Sequence, residues 1–201
     1  HRNIHYDVLV VGAGISGILA AKNAAKNNLK TLLVDEKNEL GGATIYQNRD
    51  FNKIENQSSS DWIKKEIKEL KNIKNLEIKT RTSVAAYHGY NYLLARENLT
   101  DHLEKKDKQD KIRQRLLKIR AKKVILATGA LERPLIFNNN DRPGIMLSSA
   151  IKKYADFYGV VSGKKNVFFT NNDSAYESAL CLYNKGIKVE AIIDIREKSD
   201  S

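Results

Sequence analysis

The sequence predicts an α/β protein: a doubly wound, mainly parallel sheet built to bind a dinucleotide, with the start of a second unit of the same kind behind it. Three observations carry that prediction. A short apolar run, YDVLVV at residues 6–11, is followed at once by GAGISG and then by apolar positions at helical spacing. A second apolar run, LKTLLVDE, ends in the paired acids Asp35 and Glu36, at the distance a strand–helix–strand unit requires. The order strand, turn, helix, strand returns near the end of the chain, where FTNNDSAY echoes VVGAGISG. Together they describe a Rossmann-like dinucleotide-binding domain with a β-strand insertion, plus the beginning of a second Rossmann-like domain.

Each element has its own signal. Residues 15–27 form a helix whose Ile18, Leu19 and alanines pack on the sheet. Residues 48–60 follow neither period and are expected to be loop. Ser60 or Asp61 then caps a helix with Ile63, Ile67 and Leu70 on one face. LEIKT is a third strand, and SVAAYHGYNYLLARE is a pair of strands with Gly89 near the bend. LLKIRAKKVILATG supplies another strand pair, the second member wholly apolar, as a buried parallel strand should be. Pro143 and Gly144 break the chain, and a helix follows over residues 148–157. Strand 165–170, a helix from Asp173 and strand 189–194 complete the second unit, whose packing is expected to rest on Val167, Phe169, Ala175 and Ala179. The domain boundaries are 1–142, incomplete and with the strand insertion at about 83–121, and 143–201 for the second, degenerate nucleotide-binding-like domain.

Composition removes several classes. The net charge is +11, but the lysines alternate with glutamates and with helical apolar positions. That pattern describes solvated faces and an anionic cofactor rather than a nucleic-acid surface. No apolar run approaches the ~20 residues that cross a bilayer, and no cleavable leader is expected. The chain starts without Met and ends just after a strand, so it is expected to be a slice of a longer, cytoplasmic polypeptide. Cys181 is the only cysteine, which excludes an internal disulfide, a dithiol redox pair and an all-cysteine metal site; on a helix between Leu180 and Leu182 it is expected to be buried and inert. Four scattered histidines make no metal site. Trp62 and the tyrosines are expected to pack.

The chemistry sits in the first turn. Gly12 permits the tight bend, Gly14 lets the backbone approach a pyrophosphate, and Gly17 lets helix and strand pack closely. The phosphates would meet backbone N–H groups of Ala13, Ile15 and Ser16 at the positive end of the helix. Asp35 is expected to accept from ribose hydroxyls. Asp35 and Glu36 would repel a 2′-phosphate, which disfavours NADP, while NAD and the ADP half of FAD stay open.

Gly41 and Gly42 follow those acids in DEKNELGGATIY, and Ala127, Thr128 and Gly129 close VILATG. With the first turn they resemble the two-dinucleotide-domain flavoprotein superfamily. That resemblance implies that Lys37, Gly41, Gly42, Ala43, Ala127, Thr128 and Gly129 line the first site, and that Val84 meets the adenine through its backbone. The cysteine pair of disulfide reductases is missing, since ATIYQN follows the two glycines. YHGYNYLLARENLTDHL, the segment from RQRLLKIRAKKVILATGALERPL to IMLSSAIKKY, and VFFTNNDSAYESAL are more closely similar to the alpha subunits of heterotetrameric sarcosine oxidase. This resemblance implies an oxidoreductase subunit holding NAD at the first turn, with beta, gamma and delta partners. FAD and a covalent FMN would sit on the beta subunit, and a C-terminal region would bind folate. The complex would oxidise sarcosine or a related N-methyl amino acid. No catalytic and no metal-ligating residue is expected in this chain, and neither nucleic acid nor membrane is an expected partner.

Thr170, Asn171 and Asn172 stand where the superfamily's second turn has glycines. Asn tolerates left-handed angles, so that turn is expected to survive as structure, with its side chains filling the pyrophosphate position and Asp194 left as a possible ribose acid. Two other readings stay open: a fragment of a self-contained FAD-dependent NAD(P)H or amine oxidoreductase, and a non-catalytic module whose nucleotide is structural.

Overall fold

The structure, a computed structural model, describes residues 1–46, 53–108 and 111–197. Close contacts divide it into two units, one of His1–Ile45 with Lys53–Gly129 and one that takes up the chain again at Ala130.

The first unit is a six-stranded sheet of order β5-β2-β1-β8-β7-β6. Its members are β1 (Arg2–Val11), β2 (Thr31–Val34), β5 (Leu76–Lys79), β6 (Thr82–His88), β7 (Tyr92–Asn98) and β8 (Gln114–Leu126). Strands β5, β2, β1 and β8 run parallel, while β7 and β6 return antiparallel. Helices α1 (Ile15–Lys26) and α2 (Ser59–Leu70) supply the cross-overs. Val8, Val10 and Leu33 meet Ile18, Ala21, Trp62, Ile63 and Leu70 in one cluster. The other face of the same strands, Leu9, Val11, Leu32 and Val34, clusters with Leu93, Ala95, Leu117 and Ile119 from the antiparallel strands. The insertion thus caps the sheet where a second helical layer would otherwise lie. Each fully buried Leu here contributes roughly 1.5–3 kcal/mol over exposure.

Several expectations need correction. β1 begins at Arg2, because Ile4 and Tyr6 alternate inward ahead of the apolar run. The expected loop contains a small hairpin, β3 (Lys53–Ile54) with β4 (Gln57–Ser58); residues 48–52 of that loop lie outside the described residues. The cap of α2 is Ser58, whose Oγ accepts from the Asp61 N–H at 3.1 Å. LLKIRAKKVIL lies within one thirteen-residue strand, QRLLKIRAKKVIL, not two. It stays extended through Lys122 and Lys123 because it pairs with β1 from Arg2↔Leu117 to Val11↔Leu126. Its apolar end is not buried, since β7 stops opposite Arg120 and leaves Leu126 60% exposed. The mixed-charge segment before it contains one helical turn, α3 (Lys105–Lys108).

Charged side chains are also drawn into this unit. Lys79 Nζ lies 2.7 Å from Glu97 and 3.2 Å from Glu77, Arg115 reaches Glu97 at 3.3 Å, and Tyr6 donates its hydroxyl to Glu77. Burial, then the Glu77 hydrogen bond, pushes the Tyr6 phenol well above its ordinary value. No helix among the described residues is long and apolar enough to cross a membrane.

The second unit pairs β9 (Lys165–Thr170) with β10 (Lys188–Asp194) in parallel and packs α4 (Ser148–Phe157) and α5 (Ser174–Asn184) on one face. The inward residue is Phe168, 5% exposed, not Val167, which is 58% exposed, nor Phe169. Apolar residues stand on both sides of VFF, so composition alone did not choose the parity; Asn166 and Thr170 share the buried face with Phe168. Ala175 and Ala179 are buried as expected. Glu132 belongs to this unit: its carboxylate accepts from Ser148 N and Oγ at 3.0 and 2.8 Å and from Ser149 N at 2.8 Å, which caps α4. Burial opposes ionisation of Glu132, but the hydrogen bonds from Ser149 and Ser148 outweigh it and hold the carboxyl below its ordinary value. Trp62 and Tyr6 pack as expected, whereas Tyr87 and Tyr90 are exposed. Cys181 is buried and donates to Asp156 Oδ1 at 3.2 Å. Burial, then that hydrogen bond, pushes its thiol up to about 11.

Candidate dinucleotide site

The end of β1 turns into α1 through Gly12, Ala13 and Gly14. Gly12 has φ of +98°, and a Cβ there would stand 2.3 Å from the Ala127 carbonyl oxygen. A Cβ on Gly17 would stand 1.8 Å from the Gly12 carbonyl oxygen. Both positions therefore require glycine for packing within the protein. Gly14 differs: an added Cβ would meet nothing within 4 Å. Its face opens outward, which is the space a pyrophosphate would need.

Backbone bonds gather the neighbouring segments on this turn. Gly12 N donates to Val34 O at 2.8 Å, Gly41 N to Ala13 O at 2.7 Å, and Ala127 N to Val11 O at 2.8 Å. Gly42, with φ of +59°, lies so close to Gly14 that a Cβ would come within 2.9 Å of its Cα. Gly12, Ala13, Gly14, Gly17, Gly41, Gly42 and Ala127 are thus brought together. Thr128 and Gly129 extend from Ala127 and are exposed, as is Ala43 in the 3-10 turn Gly42–Tyr46. Val84 lies on β6, packed against the core cluster below; the site end of that strand is fixed where Thr82 N donates to Asp35 O at 2.8 Å.

The two acids have different surroundings. Asp35 Oδ2 accepts from Ala13 N at 2.6 Å and Oδ1 from Lys37 N at 2.8 Å, so its carboxylate braces the turn. Glu36 is exposed, and among the described residues its carboxylate takes no hydrogen bond or ion pair.

Helix α1 also differs from the other three long helices. The amides at the start of α2 are capped by Ser58, those of α4 by Glu132, and that of Ser174 in α5 by Asn172 Oδ1 at 3.0 Å. At α1 the N-cap is Gly14, with no side-chain hydrogen bond and no acid in the first turn. Its N-terminal amides and the positive end of its dipole face the opening at Gly14 with no side-chain cap.

The second turn is closed on itself. Thr170 Oγ1 donates to Asn172 O at 2.8 Å, and Asn172 Oδ1 accepts from Ser174 Oγ at 2.6 Å as well as from its amide. Neither Asn171 nor Asn172 is left-handed, contrary to expectation; hydroxyl and carboxamide bonds close the turn instead. Arg196 bridges Asp173 and Asp194 at 2.6 Å each, and Tyr176 donates to Asp194 at 3.1 Å. The Arg196 guanidinium holds the Asp194 carboxyl well below the usual carboxylate range. This turn borders a cleft of about 910 Å³ within the second unit, walled in part by Phe137, Met146, Val167 and Phe169. The described residues contain no cluster of three metal-ligating side chains.

Comparison with known proteins agrees with this geometry. The profile of a family described as "Pyridine nucleotide-disulphide oxidoreductase" matches residues 6–180. Sarcosine oxidase subunit alpha of Corynebacterium sp. (strain P-1) is 41% identical over 98% of this chain, which spans 20% of that protein. The subunit alpha of Rhizobium meliloti (strain 1021) is 36% identical over 96% of the chain and 19% of its own length. Among solved structures, L-proline dehydrogenase from P. horikoshii superposes on the whole chain, and on 38% of itself, with a TM-score of 0.77 at 24% identity. Lactococcus lactis thioredoxin reductase does so over 96% of the chain and 57% of itself, with a TM-score of 0.63 at 24% identity. These two likenesses bear on the fold alone.

Proposed function

The chain belongs to the pyridine nucleotide-disulphide oxidoreductase family, and from that premise we propose that its first turn holds NAD within a sarcosine-oxidase-like alpha subunit. The observation that carries this reading is the uncapped start of α1 facing open space at Gly14, beside a turn whose other glycines are used up in packing. The residues fit the group: amides of the α1 start would take the pyrophosphate, and Gly41 and Gly42 would wall it. Glu36, exposed and without a partner among the described residues, would accept from the ribose hydroxyls. Asp35 would act indirectly, by holding the Ala13 and Lys37 amides in place. A bound nicotinamide supplies a hydride donor or acceptor; this chain contributes binding and orientation, and no acid or base for the reaction.

The likeness to the sarcosine oxidase alpha chains favours NAD over FAD and extends the reading to the whole protein. It would be one subunit of a cytoplasmic complex with beta, gamma and delta partners. The complex would oxidatively demethylate sarcosine or a related N-methyl amino acid on flavins, FAD and FMN, held by a partner, and pass the one-carbon unit to folate bound by a region outside this chain. The test is to denature the intact subunit and identify what it releases. NAD at one per chain is the expected result; released flavin without NAD would overturn the choice.

A further inference from the structure

The outer face of the β6-β7-β8 meander is unpartnered and carries charge of one sign. The inner face is filled: Leu93, Ala95, Leu117 and Ile119 belong to the core. The outer face alternates with them, so its rows follow from the register. Arg96 stands opposite Leu116, Leu94 opposite Lys118, and Tyr92 opposite Arg120. Each of these three rows pairs one cation with one apolar or aromatic side chain, and the next row, Asn98 opposite Gln114, is polar and uncharged. Leu116 is 43% exposed, and the Arg120 guanidinium lies 5.0 Å from the Tyr92 ring centroid.

The three strands contain a single carboxylate, Glu97, and it points inward to Lys79 and Arg115. No ion pair of Arg96, Lys118 or Arg120 exists among the described residues. Successive cations on one strand stand only two residues apart, about 7 Å, with nothing nearby of opposite sign on the face. Such an arrangement is tolerated in water but is complementary to an acidic surface. The apolar half of each row would be covered in the same contact.

We propose that this face docks an acidic, partly apolar surface of a partner subunit, an inference that rests on the reading of the chain as part of a multi-subunit enzyme. A protein fits better than a nucleic acid. Half of each row is aliphatic or aromatic, and the Tyr92 ring, which base stacking would need, is already engaged by Arg120.

The experiment uses the full-length subunit co-expressed with the partner chains of its complex. Arg96→Glu, Lys118→Glu and Arg120→Glu are combined, and assembly is followed by native mass spectrometry and by sizing at low and high salt. The wild-type complex should weaken as salt rises, and the triple variant should bind its partner at least about ten-fold less tightly, while releasing as much dinucleotide as the wild type when denatured. Retained dinucleotide also shows that the variant folds; should it fail to fold, Arg96→Gln with Lys118→Gln and Arg120→Gln should remove the salt dependence of assembly. Assembly by either folded variant with wild-type affinity and salt response overturns the proposal, as does a wild-type subunit that forms no complex. Binding of a short DNA duplex that depends on the three cations, with assembly unchanged, would assign the face to nucleic acid instead. A complex that assembles as expected but contains no dinucleotide would count against the NAD site alone.

Discussion

At the scale of single residues, adjacent positions of similar chemistry divide the work. Gly12 and Gly17 serve packing, and Gly14 faces out. Asp35 braces the turn, and Glu36 is available to a ligand. Substitutions should separate these roles. Glu36→Gln should weaken NAD binding by roughly 1–3 kcal/mol, the scale of a hydrogen bond to a charged group, without changing the denaturation midpoint. Asp35→Ala should lower stability by about 1–3 kcal/mol, because two amides lose their acceptor, and weaken binding as a consequence. Calorimetry and urea unfolding on the same two proteins check both; equal loss of stability in each would contradict the division. Cys181 makes a simpler case. With its thiol pushed up to about 11 and buried, it should resist a thiol reagent at pH 8 in the folded protein and react at once in urea. The fingerprint was legible because its residues are contiguous. The separate duties of Asp35 and Glu36 were not, because the Ala13 amide that Asp35 holds lies 22 residues away in sequence.

At the scale of elements, the sequence was legible where one face is apolar and ambiguous where both are. α1, α2, α4 and α5 fall where their caps and periodicities put them, with the α2 cap moved to Ser58. In β9 the run VFF offers either parity, and only packing under α5 selects Phe168. Phe168→Ala should therefore cost about 3–5 kcal/mol, as for a buried aromatic, whereas Val167→Ala should change stability by less than about 0.5 kcal/mol; chemical denaturation of the two variants distinguishes them. β8 looked like two strands because RAKK interrupts its apolar pattern, yet pairing with the whole length of β1 keeps it continuous. The cap on α4 comes from Glu132, sixteen residues before Ser148, beyond any capping rule that reads neighbouring residues. Because Glu132 titrates below its unfolded value of about 4.3, its contribution is complete above that value and is lost as pH falls through the folded pKa. Glu132→Gln should remove this component, so that stability falls less steeply below about pH 4 than in the wild type; unchanged steepness would contradict the cap.

At the scale of the whole molecule, the two units keep the same strand–turn–helix order and treat their turns in opposite ways. The first turn leaves the start of α1 without a side-chain cap. The second fills the corresponding position with Asn172 and ties up Asp194 through Arg196 and Tyr176. The echo between the turns was visible in the sequence. The closing bonds were not, since Arg196 lies 23 residues beyond Asp173. One dinucleotide per chain is the outcome this reading predicts, although the cleft beside the second turn has room for a ligand. The most direct measurement is dinucleotide stoichiometry of the full-length subunit carrying Gly14→Val. The added Cβ meets nothing within 4 Å in the protein, while the side chain fills the space left for the pyrophosphate. A folded variant should bind no NAD in calorimetry, where the wild type binds one. A variant that still binds one NAD, and loses it only when Asp194→Ala is added, would place the working site at the second turn and contradict the assignment.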